Sequence, residues 1–284
     1  MSPRHRPSFI FAALVVATAA VIFASAGAAG AVRSEGDLAR ITKSGDELAK
    51  SGGAKFRGTT TADGGGDKSK VTFDGSFDFR NRAGEYSVDA AAIGLQGSGK
   101  VRTLVVGGIL YLSLDTLEGG NPSSTPDLAG KKWLKLDPQM FGGGGEIGQS
   151  DPNGSLDALR GAKGDVKRVG SEKVRGTRTT RYRVAIDAEQ AVNSAPEEQR
   201  DEVRNSIGAL GSATIPADVW VDGKGRLRKI RLRVAASSSK TKGSVAFEYF
   251  DLGARVNVEA PPASEVVDFQ ELLGGSPTTT GAPG

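Results

Sequence analysis

The alternation of apolar and polar positions changes period near the start of the chain. In "SEGDLARITKSGDELAKSGG" (34–53), Leu38, Ile41 and Leu48 fall near one helical face. Ser34 stands as an N-cap with Asp37 three residues on, and Gly52 and Gly53 supply a stop, so the stretch predicts a helix. From Ala54 the period becomes two. In "KVTFDGSFDF", Val71, Phe73, Phe77 and Phe79 share one face, and Thr72, Asp74, Ser76 and Asp78 take the other, as in a half-buried strand. Short strands are predicted at "GEYSVDAA", "KVRTLVVG", "GILYLSL" and "KKWLKL", separated by turns such as "FRNRAGE" and "EGGNPSSTPDLAGK". The Gly-rich "LDPQMFGGGGEIGQSDPNGS" predicts a loop leading into a short helical piece, "SLDALRG". Strands resume with "DVKRVGSEKV" and "GTRTTRYRVAID". A helix is then predicted from the capping-box pattern Ser194 to Glu197, with Val203, Ile207 and Leu210 as its apolar stripe and Gly211 as its end. "TIPADVWVD", "GRLRKIRLRV" and "GSVAFEYFDL" complete the strands, and the low-complexity tail over 271–284 predicts disorder. The sum is one α+β domain over roughly 33–270, with about eleven strands in an antiparallel meander, sandwich or barrel and two or three helices.

The first residues add a compartment. "MSPRHRPSF" is basic and carries no acid, an uncharged run extends from Phe9 to Val32, and small residues follow at "ASAGAAGAV". Residues 1–31 therefore predict a signal peptide, or a retained N-terminal membrane anchor, since about 20 apolar residues span a bilayer. Either way the domain is expected outside the cytoplasm, in the cell envelope, secreted after cleavage or tethered by the uncleaved helix. The chain has no Cys, so neither a disulfide framework nor a thiol for lipid attachment is available. Without Arg4 and Arg6, the 37 basic residues become 35 against 33 acidic ones, a poor balance for neutralising nucleic-acid phosphates.

Chemistry is thin. The single histidine, His5, lies inside the leader, so the domain holds neither His nor Cys, and triad nucleophiles and the usual zinc sets are excluded. "GLQGSGKV" (94–101) nearly spells a phosphate loop, but Val101 replaces the magnesium-binding hydroxyl and a strand follows, which predicts a hairpin turn. "GGGEIG" (143–148) reads as a loop, and "DGGGDK" (63–68) as a turn without calcium-loop alternation. No catalytic residue, metal or cofactor is expected, and the chain is expected to be monomeric.

Two sets of residues remain. Arg175, Arg181, Arg183, Lys229, Arg231 and Arg233 fall on polar strand faces and form either a solvated surface or a patch attracted to anionic membrane. Phe73, Phe77, Phe79, Tyr111, Leu112, Trp133, Trp220, Phe247 and Tyr249 are strand aromatics and apolar residues. They form either an ordinary core or the lining of an apolar cavity for acyl chains.

Four segments in order, "KKWLKLDP", "VGSEKVRGTRTTRYRVAID", "PADVWVDGKGRLRKIRL" and "FEYFDLGARVNVEAPPASEVVD", resemble the LppX/LprG type of actinobacterial envelope lipoprotein, relatives of the LolA-like half-barrel carriers. The resemblance covers roughly residues 54–269. It implies a strongly curved antiparallel half-barrel wrapped around helices, an acyl-chain cavity, and a role in carrying or presenting lipid or lipoprotein. Such proteins commonly carry a lipidated Cys after the signal, which this chain lacks. The expectation is a non-enzymatic, exported lipid- or lipoprotein-binding protein of a bacterial envelope. The alternative is an envelope sensor or structural module that binds a partner protein without lipid cargo.

Overall fold

The structure, a computed structural model, describes residues 35–64, 67–91, 99–114, 130–136, 152–195, 197, 200–201, 203–204, 212–235 and 242–272. The expected leader, the Gly-rich stretch over 137–151, the near-phosphate motif up to residue 98 and the residues beyond 272 lie outside them.

The chain opens with α1 (Glu35–Ala49) and then lays down β1 (Gly53–Gly64), β2 (Asp67–Asp78), β3 (Ala83–Asp89), β4 (Lys100–Val106), β5 (Ile109–Ser113) and β6 (Trp133–Leu136). Next come α2 (Pro152–Ala158), a 3-10 turn at Leu159–Gly161, β7 (Ala162–Val174), β8 (Thr177–Asp187) and α3 (Ala188–Asn193). β9 (Thr214–Asp222), β10 (Leu227–Ala235), β11 (Lys242–Phe250), β12 (Val266–Asp268) and α4 (Phe269–Leu272) complete it. All twelve strands form one open sheet in the order β12-β6-β5-β4-β3-β2-β1-β11-β10-β9-β8-β7. The fold is thus an α+β half-barrel with unjoined edges at β7 and β12.

Two details differ from the sequence reading. A twelfth strand, β12, is three residues long and too short to show a period. It pairs parallel to β6, so the sheet is not wholly antiparallel. A helix not foreseen, α3, follows β8 directly. Asp187 caps it, accepting from the Gln190 backbone N–H at 2.6 Å, a D-x-x-Q start visible in "DAEQ". In the helix expected after Ser194, Val203 is fully buried, while Ile207 and Leu210 lie outside the described residues.

Strand register fixes the two faces. Inward, β1 presents Ala54, Phe56 and Gly58 opposite Phe77, Gly75 and Phe73 of β2. On the other side of β1, Phe56 and Gly58 stand opposite Tyr249 and Phe247 of β11. Three glycines lie opposite three rings in register: Gly58 with Phe73, Gly75 with Phe56, and Gly84 with Phe77. A methyl group added at Gly58 would come within 2.1 Å of the Phe73 ring, and one at Gly84 within 2.3 Å of Phe77. These glycines let the rings lie down on the sheet instead of standing off it.

The helices dock on the inner face. α1 lies against β7, β9 and β10, burying Ile41 and Leu48 completely, and Arg40 donates to the Asp222 carbonyl at 2.7 Å. It ends where Gly52, at φ 87°, turns the chain into β1 through a left-handed conformation that favours glycine. α2 meets α1 at Gly45, where an added methyl group would come within 3.3 Å of Leu156. Among the described residues no helix is long and apolar enough to cross a membrane.

Candidate functional site

The inner face carries a continuous aromatic stack. Phe56 meets Phe73 edge-on at 6.2 Å, Phe73 meets Phe247 at 5.8 Å and Tyr86 at 5.3 Å, and Phe247 stacks on Tyr249 at 6.3 Å. Tyr249 leads to Phe79 at 6.1 Å, and Phe79 to Phe77 at 5.6 Å. Each buried ring contributes about 1.5–3 kcal/mol of transfer free energy, and each edge or offset pair about 0.5–1.5 kcal/mol more.

The stack reaches a cavity of about 160 Å³ at Phe79, between α1, α2 and the β2–β3 turn. Ala49, Phe79 and Leu156 make its apolar floor, and Asp46, Arg80, Arg82, Asp157 and Arg160 make its charged rim. Asp157 is nearly buried and accepts from Arg160, which also reaches Asp46 at 3.0 Å. Arg82 stands 3.5 Å from Asp157, on a residue whose φ of 48° is uncommon for a side-chain-bearing residue.

Of the nine apolar residues singled out by sequence, the structure brings six to the inner face: Phe73, Phe77, Phe79, Leu112, Phe247 and Tyr249. Tyr111, Trp133 and Trp220 lie on the opposite face. The reason is strand parity: Leu110 and Leu112, Leu134 and Leu136, and Val219 and Val221 take the inward positions. Trp133 instead packs under Arg102, with the guanidinium carbon 5.7 Å from the ring centroid. Phe56 and Tyr86, central to the stack, were missed by the sequence reading, although Phe56 alternates with Lys55 and Arg57, as a strand with one buried face would.

The six basic residues gather on the outer face, where carboxylates meet most of them. Asp218, with no exposed surface, takes Arg181 at 3.2 Å, Arg183 at 3.4 Å and also Arg233. Glu248 takes Lys229 at 2.6 Å and Arg175 at 3.3 Å. Trp220 is nearly buried beneath Arg181, Lys229 and Arg231 and donates its indole N–H to Glu172. Arg175 lies in the β7–β8 turn and stacks 3.9 Å over Phe250 of β11, so the tip of this hairpin folds across the outer face of the sheet. Burial would raise the Glu248 carboxyl, but the Lys229 hydrogen bond and charge, with Arg175 behind them, hold it below its ordinary value. Asp222 is likewise held low: burial opposes, but Arg228, Arg226 and two backbone amides prevail.

Among the described residues no group of three or more His, Cys, Asp or Glu is arranged to hold a metal. β4 follows the near-phosphate loop as a strand paired antiparallel to β3, as a hairpin reading requires.

An open half-barrel with an aromatic inner face and a charged-rim cavity at its end defines the class. No known family profile matches the chain. It is 33% identical over 165 residues to an uncharacterized 31.2 kDa protein of Streptomyces griseus, covering 54% of this chain and 53% of that one. It is 32% identical over 157 residues to a Streptomyces coelicolor protein named as a lipoprotein, covering 51% of this chain and 45% of that one. The chain thus spans about half the length of the curated relatives it matches. Among solved structures it is similar to the lipoprotein LppX of Mycobacterium tuberculosis, with 17% identity, 80% and 100% of the two chains covered, and a TM-score of 0.47. It is also similar to LprF from Mycobacterium bovis, with 14% identity, 80% and 98% coverage, and a TM-score of 0.46. The LppX/LprG likeness read from the strand motifs is met again in these comparisons.

Proposed function

We propose that the protein is a non-enzymatic, exported lipid- or lipoprotein-binding protein of a bacterial cell envelope, holding acyl chains between the inner face of the sheet and its helices. One observation carries this reading: the aromatic stack is continuous from the sheet centre to Phe79, where it meets the charged-rim cavity. An amphiphile needs that combination, apolar wall leading to polar mouth, and needs no catalytic side chain. The rings now contact one another, so a guest chain requires α1 and α2 to shift outward from the sheet. At the α1–α2 contact Gly45 presents no side chain to Leu156, which suits such sliding. The lipoprotein named among the relatives is consistent with an envelope setting.

The test is uptake of a fluorescent fatty acid by the purified chain. Phe247→Glu and Phe77→Glu should abolish uptake, because either buries an unpaired carboxylate in the wall. Phe79→Asp, at the cavity floor, is the milder variant should those two fail to fold, and it should weaken uptake in a chain of unchanged circular dichroism. Full uptake by a folded variant removes that residue from the wall, and full uptake by all three contradicts the reading.

A further inference from the structure

We propose that the cavity between α1, α2 and the β2–β3 turn is a seat for a phosphate group, carried at the head of an acyl lipid or free in solution. In its lipid form this rests on the carrier reading above.

The rim holds three guanidinium groups, on Arg80, Arg82 and Arg160, against two carboxylates, on Asp46 and Asp157. The site is therefore one positive charge in excess. The nearly buried Asp157 anchors Arg160 and stands 3.5 Å from Arg82, so it fixes two of the three arginines before any ligand arrives. Arg80 is different: among the described residues no carboxylate lies within ion-pair distance of its side chain, which is exposed at the cavity edge. A planar fork of donors beside two pre-positioned ones suits a phosphate, whose oxygens accept paired hydrogen bonds from arginine. The volume of about 160 Å³ leaves room for a phosphate group and part of its hydration. The floor of Phe79, Ala49 and Leu156 explains why a lipid fits better than a bare ion, since Phe79 continues into the aromatic stack.

The carboxylates give the proposal a second handle of opposite sign. Asp46 lies 3.0 Å from Arg160 and is more than half exposed, so Asp46→Asn frees one arm of the Arg160 guanidinium, the other staying on Asp157, without disturbing the core. Removing Arg80 subtracts a donor, and removing the Asp46 charge adds one.

The experiment is titration of the full chain with three probes: a monoacylglycerol phosphate, the monoacylglycerol of the same chain length, and inorganic phosphate. The phosphate-headed lipid should bind about tenfold more tightly than its neutral counterpart, the increment of one charge-assisted contact. Arg80→Gln should shrink that ratio toward one, Asp46→Asn should widen it, and added salt should weaken the phosphate-headed probe selectively. Equal affinity for the two lipids overturns the phosphate seat and leaves the carrier reading standing. Binding of inorganic phosphate that depends on Arg80, with neither lipid bound, keeps the seat and removes the carrier. A ratio that neither substitution moves also overturns the seat.

Discussion

Asp218 has no exposed surface, yet three arginines converge on it from β8 and β10. Its position follows from parity. Ala217 and Val219 point into the core, so Asp218 and Trp220 must point out, and the long side chains of Arg181, Arg183 and Arg233 close over them. The carboxylate is buried under its own counter-ions. Asp218→Ala should therefore lower the unfolding free energy, read from urea denaturation, by an amount near the lower end of the ~3–5 kcal/mol expected for breaking a buried pair, because the arginines keep part of their surface in water. An unchanged midpoint would mean the cluster is only surface decoration. Glu248 and Asp222 make a pH prediction. Both have folded values below the unfolded ones, so their contribution is fully present above about pH 4.5 and is lost as pH falls through the depressed folded values. Stability measured downward from pH 5 should drop, and Glu248→Gln should flatten part of that slope. An acid limb identical in the variant would show that Glu248 does not carry it.

At the scale of elements, the glycine–aromatic pairs of β1, β2 and β3 decide how closely the rings lie on the sheet. Gly58→Ala places a methyl group 2.1 Å from a Phe73 ring that Phe56, Tyr86 and Phe247 hemmed in already. It should cost about 1–3 kcal/mol by overpacking, read as a lowered denaturation midpoint, and a neutral outcome would show that the stack has slack. The edges show the same economy of means. β7 is long and exposed, but Lys163, Lys167, Arg168 and Lys173 line it and its register against β8 slips twice, which discourages pairing with another chain. β12, at the other edge, is only three residues long and is tied to β6 by Lys132–Glu265 at 2.7 Å and Lys135–Asp268 at 2.9 Å. Most strands were legible because alternation over five or more residues is a strong signal, as in "KIRLRV", where Lys229, Arg231 and Arg233 do face outward. β12 was not legible, since three residues carry no period. The cavity rim was not legible either: Asp46, Arg80, Arg82, Asp157 and Arg160 come from four separate segments and share no motif. Trp220 was misplaced because aromatic character was weighed above the parity of "DVWVD", which assigns it to the charged side.

Over the whole molecule, the two faces of one sheet do different work. The outer face is knit by arginine–carboxylate clusters and the folded-over β7–β8 tip. The inner face is joined by apolar contacts, which are non-directional and, on the proposed reading, would be exchanged for contacts with a hydrocarbon guest. That asymmetry is what a carrier requires: a wall that keeps its curvature while its lining re-packs. The most direct measurement is mass spectrometry of solvent extracts from the chain purified under mild conditions from its own envelope. The account predicts acyl lipids recovered reproducibly in near-stoichiometric amount, and recovered in reduced amount from a folded Phe79→Asp variant. Extracts free of acyl lipid, from protein that also fails to take up lipid offered to it, would contradict it.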